Sequence, residues 1–259
     1  MAGPEAYLTG HWRARRIYGM TVKGVLFDFS GTLFRVESTE SWLRAALTGA
    51  GLALPEPELV RAAEALERAG ALPGGAVPAE PPTGRPGELW AVRDRSAEQH
   101  RAAFTSLSRQ VPLPVPALHD ALYDRHMTPS AWSPYPDAAE VLATLRERGV
   151  AVGVVSNIGW DLRPVFRAHG LDPYVGAYVL SYEHGIQKPD PRLFALACEG
   201  LGVDARDTLM VGDDRRADGG AATLGCGVYF VDHLPAAERP DGLRPVLDLM
   251  DEVPSAAAP

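Results

Sequence analysis

The residues of this sequence that could do chemistry fall into four short groups. They are the segment 28–32 (Asp-Phe-Ser-Gly-Thr), the pair Ser156-Asn157, Lys188, and the segment 212–214 (Gly-Asp-Asp). Together they supply carboxylates, hydroxyls, a glycine-rich turn and one amine. Lys188 precedes two prolines that favour the first turn of a helix, where a positive charge gains nothing from the helix dipole. An anion bound at the same place would explain the lysine.

Three of the groups end runs of apolar residues that predict buried strands, at 22–29, 150–157 and 208–214. From residue 137 onward strands alternate with helices of about ten residues, which is typical of βαβ units and a parallel sheet. The other predicted elements of this half are helices 136–149, 160–170, 189–202 and 218–225 and strands 175–181 and 227–232. Ligands bind beyond the carboxyl ends of such strands, so we expect Asp28, Ser156 and Asp213 to meet at one sheet edge.

Each group also has an ordinary structural explanation when it is taken alone. An Asp-Gly cluster or a Ser-Asn pair suits a turn, an acidic doublet is usually solvated, and a single lysine usually lies on the surface. The order and spacing of all four favour a functional site over these explanations.

A helical block separates the first strand from the rest of the sheet. Residue spacing predicts helices over 37–51, 55–70, 88–110 and 115–127, and the stretch 71–88, rich in proline and glycine, predicts a flexible connector. The predicted fold class is therefore α/β, with a Rossmann-like parallel sheet core and an inserted α-helical domain. Residues 1–20 are expected to form a poorly ordered extension, with Met20 as the natural start.

Composition narrows the class of protein further. The 259 residues are 46% hydrophobic and 22% charged, which is ordinary for a globular protein, and the net charge of −8 disfavours nucleic acid as a partner. No apolar run approaches the ~18–20 residues of a membrane span, so no membrane partner is expected. Two cysteines favour a reduced, cytoplasmic setting. Of 25 basic residues only Lys23 and Lys188 are lysines, so chemistry that needs an amine has few candidates.

The four groups resemble the four ordered motifs of the haloacid dehalogenase (HAD) superfamily. DFSGTLF, from Asp28, is similar to the first motif, VVSN, ending at Asn157, to the second, and GIQKPDPRLF, with Lys188, to the third. VGDDRRADGGAATLG is similar to the fourth, with Asp213 and Asp218 at the expected spacing. The resemblance spans residues 22 to about 232. It implies a core of residues 21–36 and 135–259, and a helical cap of the C1 type over 37–134.

The resemblance implies a role for each of these residues. Asp28 would be the nucleophile, which forms an aspartyl-phosphate in phosphatase members. Asp28, the backbone carbonyl of Ser30 and Asp213 would hold Mg²⁺, a cation that prefers oxygen ligands. Ser156 and Lys188 would bind the oxygens of the transferred phosphoryl group. Gly31, Thr32 and Asn157 would lie beside the substrate. Asp214 and Asp218 would not touch it, but would position the residues that do.

One position departs from the phosphatase pattern. Phosphatase members usually carry a second Asp two residues after the nucleophile, as general acid and base, and this chain has Ser30 there. A serine hydroxyl is a poor acid near neutral pH, so the rate and the reaction are in question. Three cap histidines, His100, His119 and His126, could supply the acid, although packing roles are the commoner fate of such residues. Glu37 is a further candidate of the same kind.

Three alternatives follow from that departure. Haloacid dehalogenases have an aromatic residue at the position of Ser30 and lack the Gly-Asp-Asp of the fourth motif, so the segment 212–214 argues against dehalogenation. Members that cleave phosphonates use a cap lysine, and residues 37–134 contain none. A catalytically weak or inactive binding protein is the third. The favoured hypothesis is a Mg²⁺-dependent phosphatase for a small phosphorylated metabolite, which the sequence does not name. Oligomeric state is not predicted.

Overall fold

The fold is built on one parallel sheet. The computed structural model describes residues 21–251, and the predicted extension 1–20 lies outside them. The strands are β1 (Gly24–Phe27), β2 (Phe34–Val36), β3 (Trp132–Pro134), β4 (Ala151–Ser156), β5 (Ala177–Leu180), β6 (Thr208–Gly212) and β7 (Gly227–Phe230). Five of them form the sheet in the order β5-β4-β1-β6-β7, all parallel. In the central strand, Phe27 pairs with Val154 on one side and Val211 on the other. The α/β class predicted from the sequence is confirmed.

Helices cover both faces of the sheet. The helices are α1 (Thr39–Gly49), α2 (Glu56–Arg68), α3 (Gly84–Ala91), α4 (Ala97–Ser108), α5 (Leu118–His126), α6 (Ala138–Glu147), α7 (Arg163–Ala168), α8 (Ser181–His184), α9 (Pro191–Leu201) and α10 (Pro245–Asp251). Side chains alternate across a strand, and in β1 Leu26 belongs to the core beneath α9 whereas Val25 and Phe27 belong to the core beneath α6, α7 and α10. Burial on both faces explains why the strands are continuous apolar runs rather than alternating ones.

The helices α1–α5 form a block inserted between β2 and β3. These two strands form an antiparallel ribbon, with Phe34 opposite Pro134 and Val36 opposite Trp132. The ribbon therefore brings the two ends of the insertion together. The Glu37 carboxylate adds a paired contact there, because it accepts from Arg125 Nε at 2.7 Å and from Nη2 at 3.0 Å. The domain limits 37–134, and the C1 type of the cap, stay predictions.

The structure corrects several predicted elements. The single helix predicted over 88–110 is wrong: α3 ends at Ala91, a short 3₁₀ turn follows, and α4 begins at Ala97 because Ser96 caps it by accepting from the Gln99 amide at 3.2 Å. Residues 218–224 form a 3₁₀ helix rather than an α-helix. The β2–β3 ribbon and α10 were not predicted. Among residues 21–251 no helix has the length and apolar character needed to cross a membrane.

Candidate active site

Asp28 and Lys188 meet in a buried ion-pair network at the carboxyl end of β1. Lys188 Nζ donates to Asp28 Oδ1 at 2.8 Å and to Asp218 Oδ1 at 2.6 Å. All three residues are buried, and Asp218 is wholly inaccessible. The β1 and β6 strand ends lie side by side, so Asp213, which follows β6, joins the same group. Of the three strand-end residues that the sequence predicted to meet, the structure brings Asp28 and Asp213 into one cluster.

The pKa values of this network reflect burial and charge. Burial raises the pKa of Asp28 to about 7, against the lowering effect of the Lys188 charge. Burial also raises the pKa of Asp218. Burial alone would lower the pKa of Lys188, but the two carboxylates outweigh it and raise that pKa. Burial raises the pKa of Asp213 as well, but His233 and Lys188 more than offset it, so this pKa is lowered. A permanently charged lysine is thus shared between carboxylates.

Three carboxylates in this network are placed to hold a metal ion. Asp28, Asp213 and Asp218 each offer an oxygen atom, and these atoms lie within 4.8 Å of one another. Lys188 contacts Asp28 and Asp218 and neutralises one negative charge, and His233 contacts Asp213, so three ionised carboxylates keep an excess of negative charge. Uncompensated buried charge is unfavourable, and an all-oxygen donor set suits a hard divalent cation. The residues present therefore fit Mg²⁺.

Two of the residues predicted to lie beside the substrate, Asn157 and Thr32, instead hydrogen-bond to Lys188 and Asp213 of the ion-pair network. Asn157 holds the backbone of Lys188, since its Oδ1 accepts from the Lys188 amide at 2.6 Å and its Nδ2 donates to the Lys188 carbonyl at 3.0 Å. Both ends of that amide are therefore occupied, which leaves little of it for the substrate. Thr32 Oγ1 donates to Asp213 Oδ1 at 3.3 Å. Ser156 ends β4 and is buried.

Asp214 and Asp218 play different parts in the turn after β6. Asp218 Oδ2 accepts from the Asp214 amide at 3.0 Å, so this carboxylate fixes the turn as well as Lys188. A side chain at Gly212 would lie 2.0 Å from Asp218 Oδ2, which explains the glycine there. The Asp214 carboxylate is exposed and accepts from the amides of Arg216 and Ala217. It stabilises the turn and does not join the buried network.

The loop after Asp28 is held by residues that the sequence analysis missed. Arg239 is buried and donates to the carbonyls of Gly31, at 2.6 Å, and of Thr32. Its guanidinium lies 3.2 Å from the centre of the Tyr135 ring. His233 Nδ1 contacts Asp213 Oδ2 at 2.5 Å, and Arg35 contacts the other ring nitrogen of His233. Nothing in the sequence marks Arg239 or His233, because neither lies in a motif.

Ser30 faces the helical block. Its Oγ lies 3.4 Å from the carbonyl oxygen of Gly74, in the connector between α2 and α3. A Cβ built on Gly74 would lie 2.7 Å from Ser30 Oγ and 2.6 Å from the Trp132 ring. The connector therefore approaches the loop that follows Asp28 closely, and only a glycine at position 74 permits this approach. This crowding limits the side chains that position 30 can hold.

The candidate acids of the helical block are placed unfavourably for proton donation. Burial lowers the pKa of His126 to about 3 and that of His100 well below its ordinary value. Burial also lowers the pKa of His119. Imidazoles with such pKa values are neutral near pH 7, so they lack the extra proton of an imidazolium acid. Glu37 is bound to Arg125, as described above.

The fold is an α/β fold with a parallel sheet, and the site places an aspartate at the end of the central strand beside a lysine and two further carboxylates. The chain belongs to the family of haloacid dehalogenase-like hydrolases, because the model of that family matches residues 22–223. It is therefore a hydrolase of the HAD superfamily, as the motifs predicted.

Curated relatives include both phosphatases and dehalogenases. A phosphoserine phosphatase of Thermus thermophilus is 38% identical over 109 residues, which are 41% of this chain and 44% of that protein. (S)-2-haloacid dehalogenase 4A of Burkholderia cepacia is 37% identical over 95 residues, 36% of this chain and 41% of that protein. A glyceraldehyde 3-phosphate phosphatase of Methanopyrus kandleri is 29% identical over 202 residues, 74% and 76% of the two chains. The chain thus spans less than half the length of the first two relatives.

Solved structures show the same fold. The HAD-hydrolase YfnB of Bacillus subtilis, solved bound to magnesium, has a TM-score of 0.62 at 17% identity, over 89% of this chain and 99% of that one. A dehalogenase structure has a TM-score of 0.57 at 23% identity, over 82% and 85%. At these identities the likeness concerns the fold alone.

Proposed function

We propose that this protein is a Mg²⁺-dependent phosphatase that hydrolyses a small phosphate monoester through an aspartyl-phosphate on Asp28. The observation that carries the proposal is the buried network of Lys188 with Asp28 and Asp218, beside Asp213. Such a network combines a nucleophilic carboxylate, a fixed positive charge and a donor set for a divalent cation. Phosphoryl transfer depends mainly on positioning and on stabilising charge, and these groups supply both.

The residues divide the reaction into two displacements. A carboxylate oxygen of Asp28 forms a bond to phosphorus while the bond from phosphorus to the alcohol oxygen breaks, and that oxygen leaves with the electron pair. Lys188 and Ser156 bind the phosphoryl oxygens. The departing alkoxide takes its proton from water, since Ser30 is a poor acid. Water then attacks phosphorus, which releases phosphate and restores the Asp28 carboxylate.

Asp28, Asp213 and the backbone carbonyl of Ser30 would hold Mg²⁺, with Asp218 close to the same cluster. When bound, the cation offsets the repulsion between the Asp28 carboxylate and the phosphate and favours the ionised form of Asp28. Thr32 keeps Asp213 oriented through its hydroxyl. Lys188 is kept in place by Asn157 and Asp218.

Dehalogenation is the second candidate, favoured by the 37% identity to a haloacid dehalogenase. Dehalogenation requires no cation, so it gives the cluster of Asp28, Asp213 and Asp218 no role as a metal site. A binding protein without turnover is the third candidate. Ligand binding alone does not require a carboxylate such as Asp28 to be held beside a buried lysine.

One assay separates the three candidates. Purified protein is given p-nitrophenyl phosphate, acetyl phosphate and 2-chloropropionate, each with Mg²⁺ or with EDTA. Phosphate release that requires Mg²⁺ supports the phosphatase. Chloride release that is indifferent to EDTA would establish dehalogenation, and ligand binding without any turnover would establish the binding protein.

Two carboxylate variants test the roles of the proposed nucleophile and metal ligand. Asp28→Asn should abolish phosphate release with an unchanged thermal melt, because an amide does not attack phosphorus. Asp213→Asn should raise the Mg²⁺ concentration needed for half-maximal rate. Asp204→Asn is the matched control, since Asp204 lies near the other end of β6 and caps a turn there. Turnover by Asp28→Asn close to the wild-type rate would refute the covalent mechanism.

A further inference from the structure

The helical block contacts the core beside the proposed phosphoryl site. A Cβ built on Gly159, three residues after Ser156, would lie 2.2 Å from the Cβ of His100 in α4. Ser181 Oγ accepts from the Ile158 amide at 2.9 Å and donates to the Asp94 carbonyl at 2.5 Å. The segment that carries Asp94 and His100 is therefore fastened to the loop that follows Ser156. We call Asp94, His100, His126 and Trp160 the interface cluster.

Asp94 is a buried carboxylate with little compensation. It is 3% exposed, and the contacts of its oxygens are Arg93 Nε at 3.4 Å and His100 Nε2 at 3.8 Å. Among residues 21–251 its carboxylate accepts no hydrogen bond. Burial raises the pKa of Asp94, while the positive charges of Arg93 and Lys188 oppose this shift. Buried charged groups are normally hydrogen-bonded, whereas among the described residues the Asp94 carboxylate has an ion pair with Arg93 and no hydrogen bond.

Two polar atoms of the interface cluster have no hydrogen-bond partner among the described residues. They are His126 Nε2 and Trp160 Nε1, and both side chains are more than nine-tenths buried. The two rings lie 5.6 Å apart at 89°. The Trp160 ring also contacts Phe29, the residue after Asp28, at 6.3 Å between centroids. The Trp160 ring is thus one ring contact from the loop that follows Asp28, and the His126 ring is two.

The unpaired atoms are chemically complementary to a hydroxyl group. His126 Nδ1 contacts the Tyr123 carbonyl oxygen, which only accepts, so Nδ1 carries the proton and Nε2 of the neutral ring is an acceptor. Trp160 Nε1 is only a donor. A hydroxyl can donate to the first and accept from the second, whereas an ammonium has no acceptor and a carboxylate no donor. Asp94 adds an acceptor for a further hydroxyl.

We propose that the interface cluster binds the alcohol portion of the substrate, and that this substrate is the phosphate monoester of a small neutral polyol. The proposal rests on the proposed phosphatase function. It also excludes a substrate class, because a carboxylate on the alcohol portion would meet the Asp94 charge in a buried site. Like charges brought together at a buried interface cost several kcal/mol, which corresponds to at least about 100-fold in kcat/KM. Entry requires the helical block to separate from the loop at Gly159.

Two matched substrates test the charge preference. Glycerol 3-phosphate and 3-phosphoglycerate differ only in a terminal hydroxymethyl or carboxylate group. Wild-type protein should favour glycerol 3-phosphate by at least about 100-fold in kcat/KM. Acetyl phosphate serves as a reference that lacks hydroxyl groups. Turnover of acetyl phosphate with a substrate ratio near one would overturn the proposal and leave the phosphatase intact, whereas no turnover of any phosphate ester would refute the phosphatase itself.

Two variants then test the residues. Trp160→Phe removes the indole N–H and should lower kcat/KM for glycerol 3-phosphate about tenfold more than it lowers kcat/KM for acetyl phosphate. Asp94→Asn should lower the substrate ratio at least about tenfold by improving turnover of 3-phosphoglycerate. Trp42→Phe and Asp137→Asn are matched controls, because their groups are buried and hydrogen-bonded elsewhere. They should leave the ratio unchanged.

Thermal melts accompany each variant. Both Trp160→Phe and Trp42→Phe lose the same ring volume from a buried site, but only Trp42→Phe also loses a hydrogen bond, to the Leu122 carbonyl, so Trp42→Phe should melt lower than Trp160→Phe. Two ratios of kcat/KM that stay within about twofold of the wild type would show that the interface cluster has a structural role only: glycerol 3-phosphate to acetyl phosphate in Trp160→Phe, and glycerol 3-phosphate to 3-phosphoglycerate in Asp94→Asn. The wild-type substrate ratio remains decisive if either variant fails to fold.

Discussion

Lys188 illustrates how a single amine can be fixed by its surroundings. It is one of two lysines in the chain, and its Nζ is shared by Asp28 and Asp218 in a site that leaves the side chain 2% exposed. A planar guanidinium is larger and presents its donors in a rigid fork, so it does not fit this geometry. Lys188→Arg should lose at least about a thousandfold in kcat/KM, as expected when a charged contact to the transition state is misplaced.

The other lysine is the control for that variant. Lys23 pairs with Asp207 at the protein surface with its side chain 62% exposed, and Lys23→Arg should keep wild-type activity. Steady-state kinetics on p-nitrophenyl phosphate measures both variants. Full activity in Lys188→Arg would show that any positive charge at position 188 is sufficient for activity.

Ser30 sets a second limit at the residue scale. Without an acid, esters of poor leaving groups should be cleaved slowly, because general acid–base assistance is worth about 10²–10⁴ in rate. The sequence suggested that Ser30→Asp could restore this assistance if the cap left room. The structure places the Gly74 carbonyl 3.4 Å from the serine hydroxyl, and a carboxylate there would be repelled by it. We therefore expect Ser30→Asp to bring no gain on alkyl phosphates.

Rates for a series of aryl and alkyl phosphates, plotted against leaving-group pKa, check the missing acid. The wild-type slope should be steep, and Ser30→Asp should not flatten it. Ser30→Ala, which keeps the small side chain, is the control and should share the wild-type slope. A shallow wild-type slope would mean that another residue donates the proton, and would contradict the role assigned to water.

The site could be predicted from sequence where residues stand at strand ends or in one of the four motifs. Asp28, Ser156 and Asp213 follow apolar runs, so a parallel sheet had to bring them together. Asp94 and Arg239 carry no such signal. Arg239 contacts the Gly31 carbonyl across 208 positions of sequence, and such a contact depends on packing that no local pattern encodes.

At the scale of elements, the loop from Asp28 to Leu33 depends on one glycine. Gly31 has φ of +78°, and a Cβ there would lie 2.3 Å from His233 Nδ1 and 2.4 Å from Asp213 Oδ2. Gly31→Ala would therefore displace the proposed metal ligand as well as strain the backbone. We expect it to raise the Mg²⁺ requirement and to lose at least about tenfold in kcat.

A variant of Gly149 is the control that separates backbone strain from the displacement of Asp213. It has φ of +71°, close to that of Gly31, and a Cβ built there meets nothing within 4 Å. Gly149→Ala should cost about 1 kcal/mol of stability with unchanged kinetics. Urea unfolding and Mg²⁺ titration of the rate measure both variants. Equal kinetic effects in the two would show that the Gly31 loop has no special relation to Asp213.

Helices and strands were predicted well where an apolar pattern runs through the whole element. They were predicted less well where a single capping residue or a strand of three residues determines the structure. The five strands of the sheet and the helices α1, α2, α6 and α9 follow apolar patterns. The break between α3 and α4 depends on Ser96, whose side chain caps the start of α4. Without that cap, the apolar spacing of the segment predicts a single helix. The β2–β3 ribbon has three residues in each strand, and its partners are about a hundred positions apart, so local patterns do not reveal it.

At the scale of the whole molecule, the contact between helical block and core is unusually rich in buried titratable groups. His100 and His126 stack at 5.7 Å between centroids, close to Asp94 and Trp160. These groups make folding depend on pH in opposite directions. The raised pKa values of Asp28 and Asp94 favour the folded state as pH falls, whereas the lowered pKa values of the histidines favour it as pH rises.

The histidine contribution can be isolated by comparing two proteins. Burial lowers the pKa of His126 to about 3, while an unfolded histidine titrates at about 6.5. Below about pH 6.5 the His126 side chain is protonated in the unfolded state but stays neutral in the folded state. The stability present above about pH 6.5 is therefore lost progressively as pH falls toward about 3. Between about pH 7.5 and about pH 5.5 the loss from this one side chain is about 1.4 kcal/mol. Urea unfolding of wild type and His126→Gln at both values measures it. The variant should lose less stability than the wild type by that amount, and an equal loss in both proteins would mean that His126 is protonated in the folded state.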